Sequence, residues 1–197
     1  MHADGAGWHA LSQVIGRLST TRWNSRLGLL FDIAVALALF YDGLRGGRAP
    51  ISALVVFSTG VALFTFIEYA FHRWLFHGPI ALFEQGHRRH HEQPLGYDSL
   101  PFFLPPLAML TIAGLLALLV PPRVALLFAA ALATGYAAYG LSHSIIHVRR
   151  FRSSPARRWA AFHHVHHHHP DSNFGVTTPL WDIVFRTRHV SARKQLA

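Results

Sequence analysis

Four long apolar runs leave this chain few ways to fold. Residues 27–44 are interrupted only by Asp32 and Asp42, and residues 51–76 only by Glu68, His72 and Arg73 near their end. Residues 102–120 carry no charge, and residues 124–146 only His143. A membrane-spanning helix needs about 20 mostly apolar residues. Four buried helices of a soluble protein would each keep a polar face, which 102–120 and 124–139 lack. Only 14% of the chain is charged, against roughly 25% in soluble domains. The reading is all-α: a single membrane-embedded domain over residues 1–197 with four transmembrane helices.

Basic residues orient such a chain. Of its 18 Lys and Arg, all but Arg45, Arg48 and Arg123 lie before the first run, around the end of the second, or after the fourth. With four spans, both termini and the 77–100 loop share one side, and the positive-inside rule makes that side cytoplasmic. The net charge of +9 is thereby accounted for by orientation and contact with anionic lipid, and no nucleic-acid-binding motif is present. Residues 1–26 lack an apolar core long enough for a secretory signal, so none is expected there. Their Trp8, Leu11, Val14, Ile15 and Leu18 are spaced as in a short interfacial or capping helix.

Sixteen histidines and no cysteine put metal chemistry on imidazole alone. Ten histidines fall into four groups: His72 and His77; His87, His90 and His91; His143 and His147; His163, His166 and His167. All lie at or beyond the span ends that face the basic side. Neutral imidazole suits iron, zinc, copper and nickel, and a metal takes roughly four to six ligands, so ten imply two ions. In each His-x2-His-His group the members at i, i+3 and i+4 point to one side of a helix, as do His143 and His147. His72 and His77 stand about 140° apart on an ideal helix and converge only if the helix ends or unwinds between them. Gly78-Pro79 is a helix-ending signal. The third box has a second register, His164, His167 and His168. His2, His9 and His189 are isolated, and the run 166–169 is internal to the chain and not a tag.

These motifs together resemble the fatty acid hydroxylase and sterol desaturase superfamily of integral-membrane histidine-box enzymes. Glu68-Tyr69, His72-Arg73 and His77-Gly78-Pro79 are similar to its first box, and His87 to Pro94 to its second. His143 and His147 sit where the family has further ligands. His163 to His167, followed by Asn173-Phe174-Gly175 and Pro179-Leu180-Trp181-Asp182, resembles its third box and C-terminal signature, and favours the register His163, His166 and His167. The likeness covers roughly residues 50 to 188. It implies a cytoplasmic helical cap holding two iron ions that use O2 to hydroxylate a lipid C–H bond, most simply of a fatty acyl chain. Zinc, which cannot cycle its oxidation state, is expected to substitute in purified protein. No cytochrome b5-like domain is seen before the core, so a separate donor protein (cytochrome b5, ferredoxin or similar) is expected to supply electrons. Glu68, Glu84, Glu92, Asp171 and Asp182 are candidates for fixing the imidazole tautomers, and Trp181 and Phe185 for lining a chain tunnel or simply packing. The alternatives are a sterol or carotenoid hydroxylase or desaturase and, in another class, a metal transporter or metal-binding protein. Transporter ligands tend to lie near the bilayer midplane, whereas these histidines lie at span ends.

Overall fold

The structure, a computed structural model, describes residues 14–191 apart from 46, 48 and 49. Trp8, Leu11, His2 and His9 lie outside the described residues. Every regular element among the described residues is helical. After a helical stretch over residues 14–19 come α1 (Arg22–Leu44), α2 (Pro50–Ala70), a π-helical turn (Phe71–Phe76), α3 (Ala81–Glu92), α4 (Leu104–Leu116), α5 (Pro122–Val148), α6 (Ser154–His168) and α7 (Leu180–Val184).

Three of these are long and apolar enough to cross a membrane: α1, α2 with its π-helical extension, and α5. Pro50–Phe76 and α5 have 27 residues each, about 40 Å at 1.5 Å per residue. The protein is an integral membrane protein. The third expected span is shorter than its apolar run. Pro105 and Pro106 start α4, residues 117–119 form turns, and α5 begins at Pro122. The resulting 13-residue helix is about 20 Å long, less than a hydrocarbon core of about 30 Å.

The chain divides into two compact units. The first comprises residues 1–60 and 96–134. In it α1 packs on α4, and Leu39, Ala113, Ala129 and Ala130 form a core with Val35, Phe57, Met109 and Leu126. The inward stripe of α1 is Asn24, Asp32, Ala36, Leu39 and Gly43, while Leu30 and Leu37 face outward, each more than 60% exposed. Small and polar residues inward with leucine outward is the pattern of a lipid-facing helix. Asn24 fixes the entry to α4: its Nδ2 donates to Ser99 Oγ and to Leu100 O, and its Oδ1 accepts from Phe102 N–H, each at 2.9 Å.

The second unit comprises residues 61–95 and 135–197. Ile146, Ala160 and Val176 form its core with Tyr139, Phe151 and Trp159. All ten grouped histidines belong to this unit.

Candidate metal centre

The first box sits where α2 changes its winding. Residues Phe71–Phe76 are π-helical, with hydrogen bonds closing over five residues instead of four. That wider turn brings residues five apart round to one side. The rings of His72 and His77 lie 5.4 Å apart. The sequence required an end or an unwinding here, and the chain does both, since His77 caps the turn and Gly78 follows. A Cβ at Gly78 would lie 2.0 Å from Trp74 O, so the tight exit admits only glycine.

The ten histidines form two groups of five. One holds His72, His77, His87, His91 and His166; the other holds His90, His143, His147, His163 and His167. Within each group the nitrogen atoms able to bind a metal lie within 4.8 Å of one another. His164 and His168 belong to neither group and are exposed. The three members of a His-x2-His-His box therefore do not serve one centre. Members at i and i+4 enter one group, and the member at i+3 enters the other. The exchange is reciprocal, because His166 of the third box joins the group of the second box and His90 joins that of the third.

The nitrogen spacing tests whether a metal fits. In the first group His77, His87, His91 and His166 form a closed ring of Nε2 contacts at 3.0–3.1 Å, and His72 Nε2 lies 3.0 Å from His87 Nε2. Two nitrogens at about 2.1 Å from a shared metal are about 3.0 Å apart at a right angle and about 3.4 Å apart at a tetrahedral angle. The ring thus has the edge length of a square of cis ligands. Hydrogen bonding among the rings cannot explain it. The carbonyls Phe174 O and Ser172 O accept from the Nδ1–H of His72 and of His166, which leaves both Nε2 atoms as bare lone pairs. His87 Nε2 touches three other Nε2 atoms and can share at most one proton. A cation at the focus satisfies every lone pair at once.

The second group shows the same edge: His163 Nε2 lies 3.1 Å from both His147 Nε2 and His167 Nε2. The ring of His90 stands 4.3 Å from His143 and 4.8 Å from His147, and its buried Nε2 has no hydrogen-bond partner. Such an orphaned donor atom fits a metal ligand. The rings of His91 and His167, one from each group, stack at 4.4 Å.

Burial keeps these imidazoles neutral, the form that binds metal. Desolvation is the main cause throughout, and repulsion between neighbouring imidazoles adds to it at each of the residues named next except His91. His77 falls to about 4, His166 to about 3 and His167 to about 2. His87, His90, His91 and His163 also fall below the usual histidine value.

The carbonyls that anchor the first group belong to a loop held by two buried carboxylates. Asp182 Oδ1 accepts from Phe174 N–H and Oδ2 from Gly175 N–H, both at 2.8 Å. Glu68 Oε1 accepts from Val176 N–H at 2.7 Å and Thr177 N–H at 2.9 Å, and Thr177 Oγ1–H donates to Oε2. A relay supports Asp182: Arg73 donates to Tyr69 Oη, Tyr69 to Thr187 Oγ1, and Thr187 to Asp182 Oδ1. Asn173 turns the chain at φ 57°, and a Cβ at Gly175 would lie 2.1 Å from Thr178 O. Glu68 and Asp182 thus act on the imidazoles through the loop backbone, not by touching them. Thr177, Thr187 and Tyr69, none of them a candidate for fixing the imidazoles from the sequence, complete the clamp. Glu84 instead pairs with Arg88 at 3.3 Å, and Glu92 and Asp171 are exposed. Trp181 packs edge-on to Phe66 and Phe185 stacks on Tyr69, the packing role.

Helices that carry paired histidine groups at the ends of apolar spans define a membrane metalloprotein. Residues 57–187 match the fatty acid hydroxylase family model, and the chain belongs to that family. It is 34% identical over 151 residues to the fatty acid 2-hydroxylase of Macaca fascicularis, a match covering 67% of this chain and 39% of that protein. With the dihydroceramide fatty acyl 2-hydroxylase FAH2 of Arabidopsis thaliana it shares 27% identity over 91% of this chain and 76% of the relative. The chain thus spans about two fifths of the length of the mammalian relatives it matches. A solved structure of full-length scs7p, in which only the hydroxylase domain is visible, superposes with a TM-score of 0.74 at 26% identity, over 88% of this chain and 69% of that one.

Proposed function

We propose that this chain is the core of an O2-dependent, non-haem di-iron hydroxylase that converts a C–H bond of a fatty acyl chain, at carbon 2, to C–OH. The observation that carries the reading is the partition of ten imidazoles into two groups of five with nitrogen edges near 3.0 Å. The first group would hold one iron through His72, His77, His87, His91 and His166. The second would hold the other through His90, His143, His147, His163 and His167. When bound, the iron pair supplies the redox chemistry that activates dioxygen. One oxygen atom enters the product and the other leaves as water, which takes two electrons, delivered one at a time by a separate donor protein such as a cytochrome b5 or a ferredoxin, and two protons from solvent. Zinc would occupy the same ligands in purified protein, because it binds such sites at least as well as ferrous iron.

The chain's own residues orient and exclude. The loop carbonyls hold two imidazoles in the tautomer that presents Nε2, and buried His72, His163 and His166 keep water from the centre. The relatives named above act on acyl chains, which favours that substrate over a sterol or carotenoid. The distribution of basic residues supports four crossings, α4 being the short one, with both termini and the histidine cap cytoplasmic. Fusions of a sidedness reporter at the two termini should report the same side and a fusion after Arg123 the other; termini on opposite sides would mean an odd number of crossings.

The test of function is lipid analysis of cells expressing the chain. Two-hydroxylated acyl chains should accumulate with the intact protein and be absent with His166→Ala. Products equal in both would refute the assignment.

A further inference from the structure

The clamped loop also lines a cavity of about 300 Å³, through Gly175 and Val176. Trp159, Phe162, Val176 and Pro179 give it apolar walls, and Arg158 and Arg188 stand at it. Among the described residues that line it none is acidic. The Trp159 indole N–H is already committed to Val176 O at 2.8 Å. Among the described residues neither arginine makes an ion pair or a side-chain hydrogen bond, and both are exposed. Two free guanidinium groups on apolar walls suit an amphiphile with an anionic head, since guanidinium binds phosphate in a bidentate fork.

The neighbourhood says where the apolar part lies. Helix α7 turns Asp182 inward and leaves Leu180, Ile183 and Val184 about half exposed. Its Trp181 donates to Thr65 Oγ1 at 3.0 Å, and Thr65 lies eleven residues inside the end of the apolar helix Pro50–Phe76. The exposed face of α7 is thus set beside a membrane-crossing segment. The cavity's Val176 wall is bonded to Glu68 of that same helix.

We propose that this cavity seats the phosphate headgroup of an anionic membrane phospholipid between Arg158 and Arg188, with its acyl chains along Leu180, Ile183 and Val184. The site is separate from the histidine groups and does not depend on the reaction assigned to them.

The test uses the metal-loaded chain in nanodiscs of phosphatidylcholine containing a minor fraction of phosphatidylglycerol, released for native mass spectrometry. The expected result is one phosphatidylglycerol retained per chain. Replacing both arginines (R158Q with R188Q) should lower retention about tenfold or more, the scale of a lost charge-assisted contact. R188Q alone should lower it partly, and the basic control R149Q with R150Q should leave it unchanged. Ile183→Ser should weaken retention with both arginines intact. Metal content unchanged from wild type checks that each variant is folded. Equal retention of phosphatidylcholine, retention surviving the double variant, or an equal loss in the control would overturn the site. A free fatty acid as the retained species, or full displacement by inorganic phosphate, would overturn the phospholipid assignment.

Discussion

In the first histidine group two rings, His72 and His166, are anchored at Nδ1 by loop carbonyls. In the second group the Nδ1 of His163 is buried with no partner. Each group draws two members from a pair (His72 and His77, or His143 and His147), two from one His-x2-His-His box and one from the other. Only the first has its ring orientations fixed by a loop that Glu68 and Asp182 hold rigid. Partners that orient a ligand are typically worth 10–100-fold in metal affinity. The difference therefore predicts a tightly organised first centre and a more exchangeable second one. The two remain coupled through the stacked rings of His91 and His167.

Removing ligands gives the largest effect and tests the crossing of the boxes. His166→Ala should empty the first group and leave the second filled. His90→Ala should do the reverse. Each should retain about one metal per chain and lose more than about 100-fold of activity, beyond what loss of an orienting partner costs. His168→Ala should keep both metals and substantial activity. Anomalous diffraction at the metal edge would show which centre is vacant. If His90→Ala and His87→Ala emptied the same centre, each box would serve one ion and the partition would be wrong.

A smaller effect sharpens the contrast between the centres. A chelator titration should remove the second ion first. Glu68→Gln or Asp182→Asn should weaken the first centre by about 10–100-fold and abolish the order of release. A variant that weakened both centres equally would mean that the clamp stabilises the unit as a whole.

The smallest effect is on pH. In the folded, metal-free protein burial holds His77 at about 4 and His166 at about 3, below the usual histidine value of 6.5. Below 6.5 the unfolded chain takes up protons that the folded chain refuses. Apoprotein stability should therefore be full above pH 6.5 and decline as the pH falls toward about 4 and below. Thermal melts of metal-free protein across that range check it, and a flat profile would contradict the buried, neutral state of the rings.

The ten histidines were legible because helical spacing and position at span ends both mark them. Their partition was not. On a helix the i+3 and i+4 positions diverge by about 100°, wide enough to reach two neighbouring centres, and spacing alone does not say whether one or two foci stand opposite. The five-residue gap of the first box gave a geometric problem whose solution, a π-helical turn, has no mark in the sequence. The carboxylates Glu68 and Asp182 were legible as participants, but their action runs through backbone amides and carbonyls, which any residue could supply. Residues 102–120 read as a full span because apolar composition does not register how Pro105, Pro106 and Pro122 shorten the helix between them.

The central claim is that two metal ions sit in all-imidazole shells built by exchange between the boxes. Elemental analysis combined with X-ray absorption at the iron edge, on active protein from iron-supplied cells, tests it most directly. The expected result is close to two irons per chain and nearest neighbours dominated by about five imidazole nitrogens per iron. One metal or none per chain, or a shell dominated by carboxylate oxygen, would contradict it.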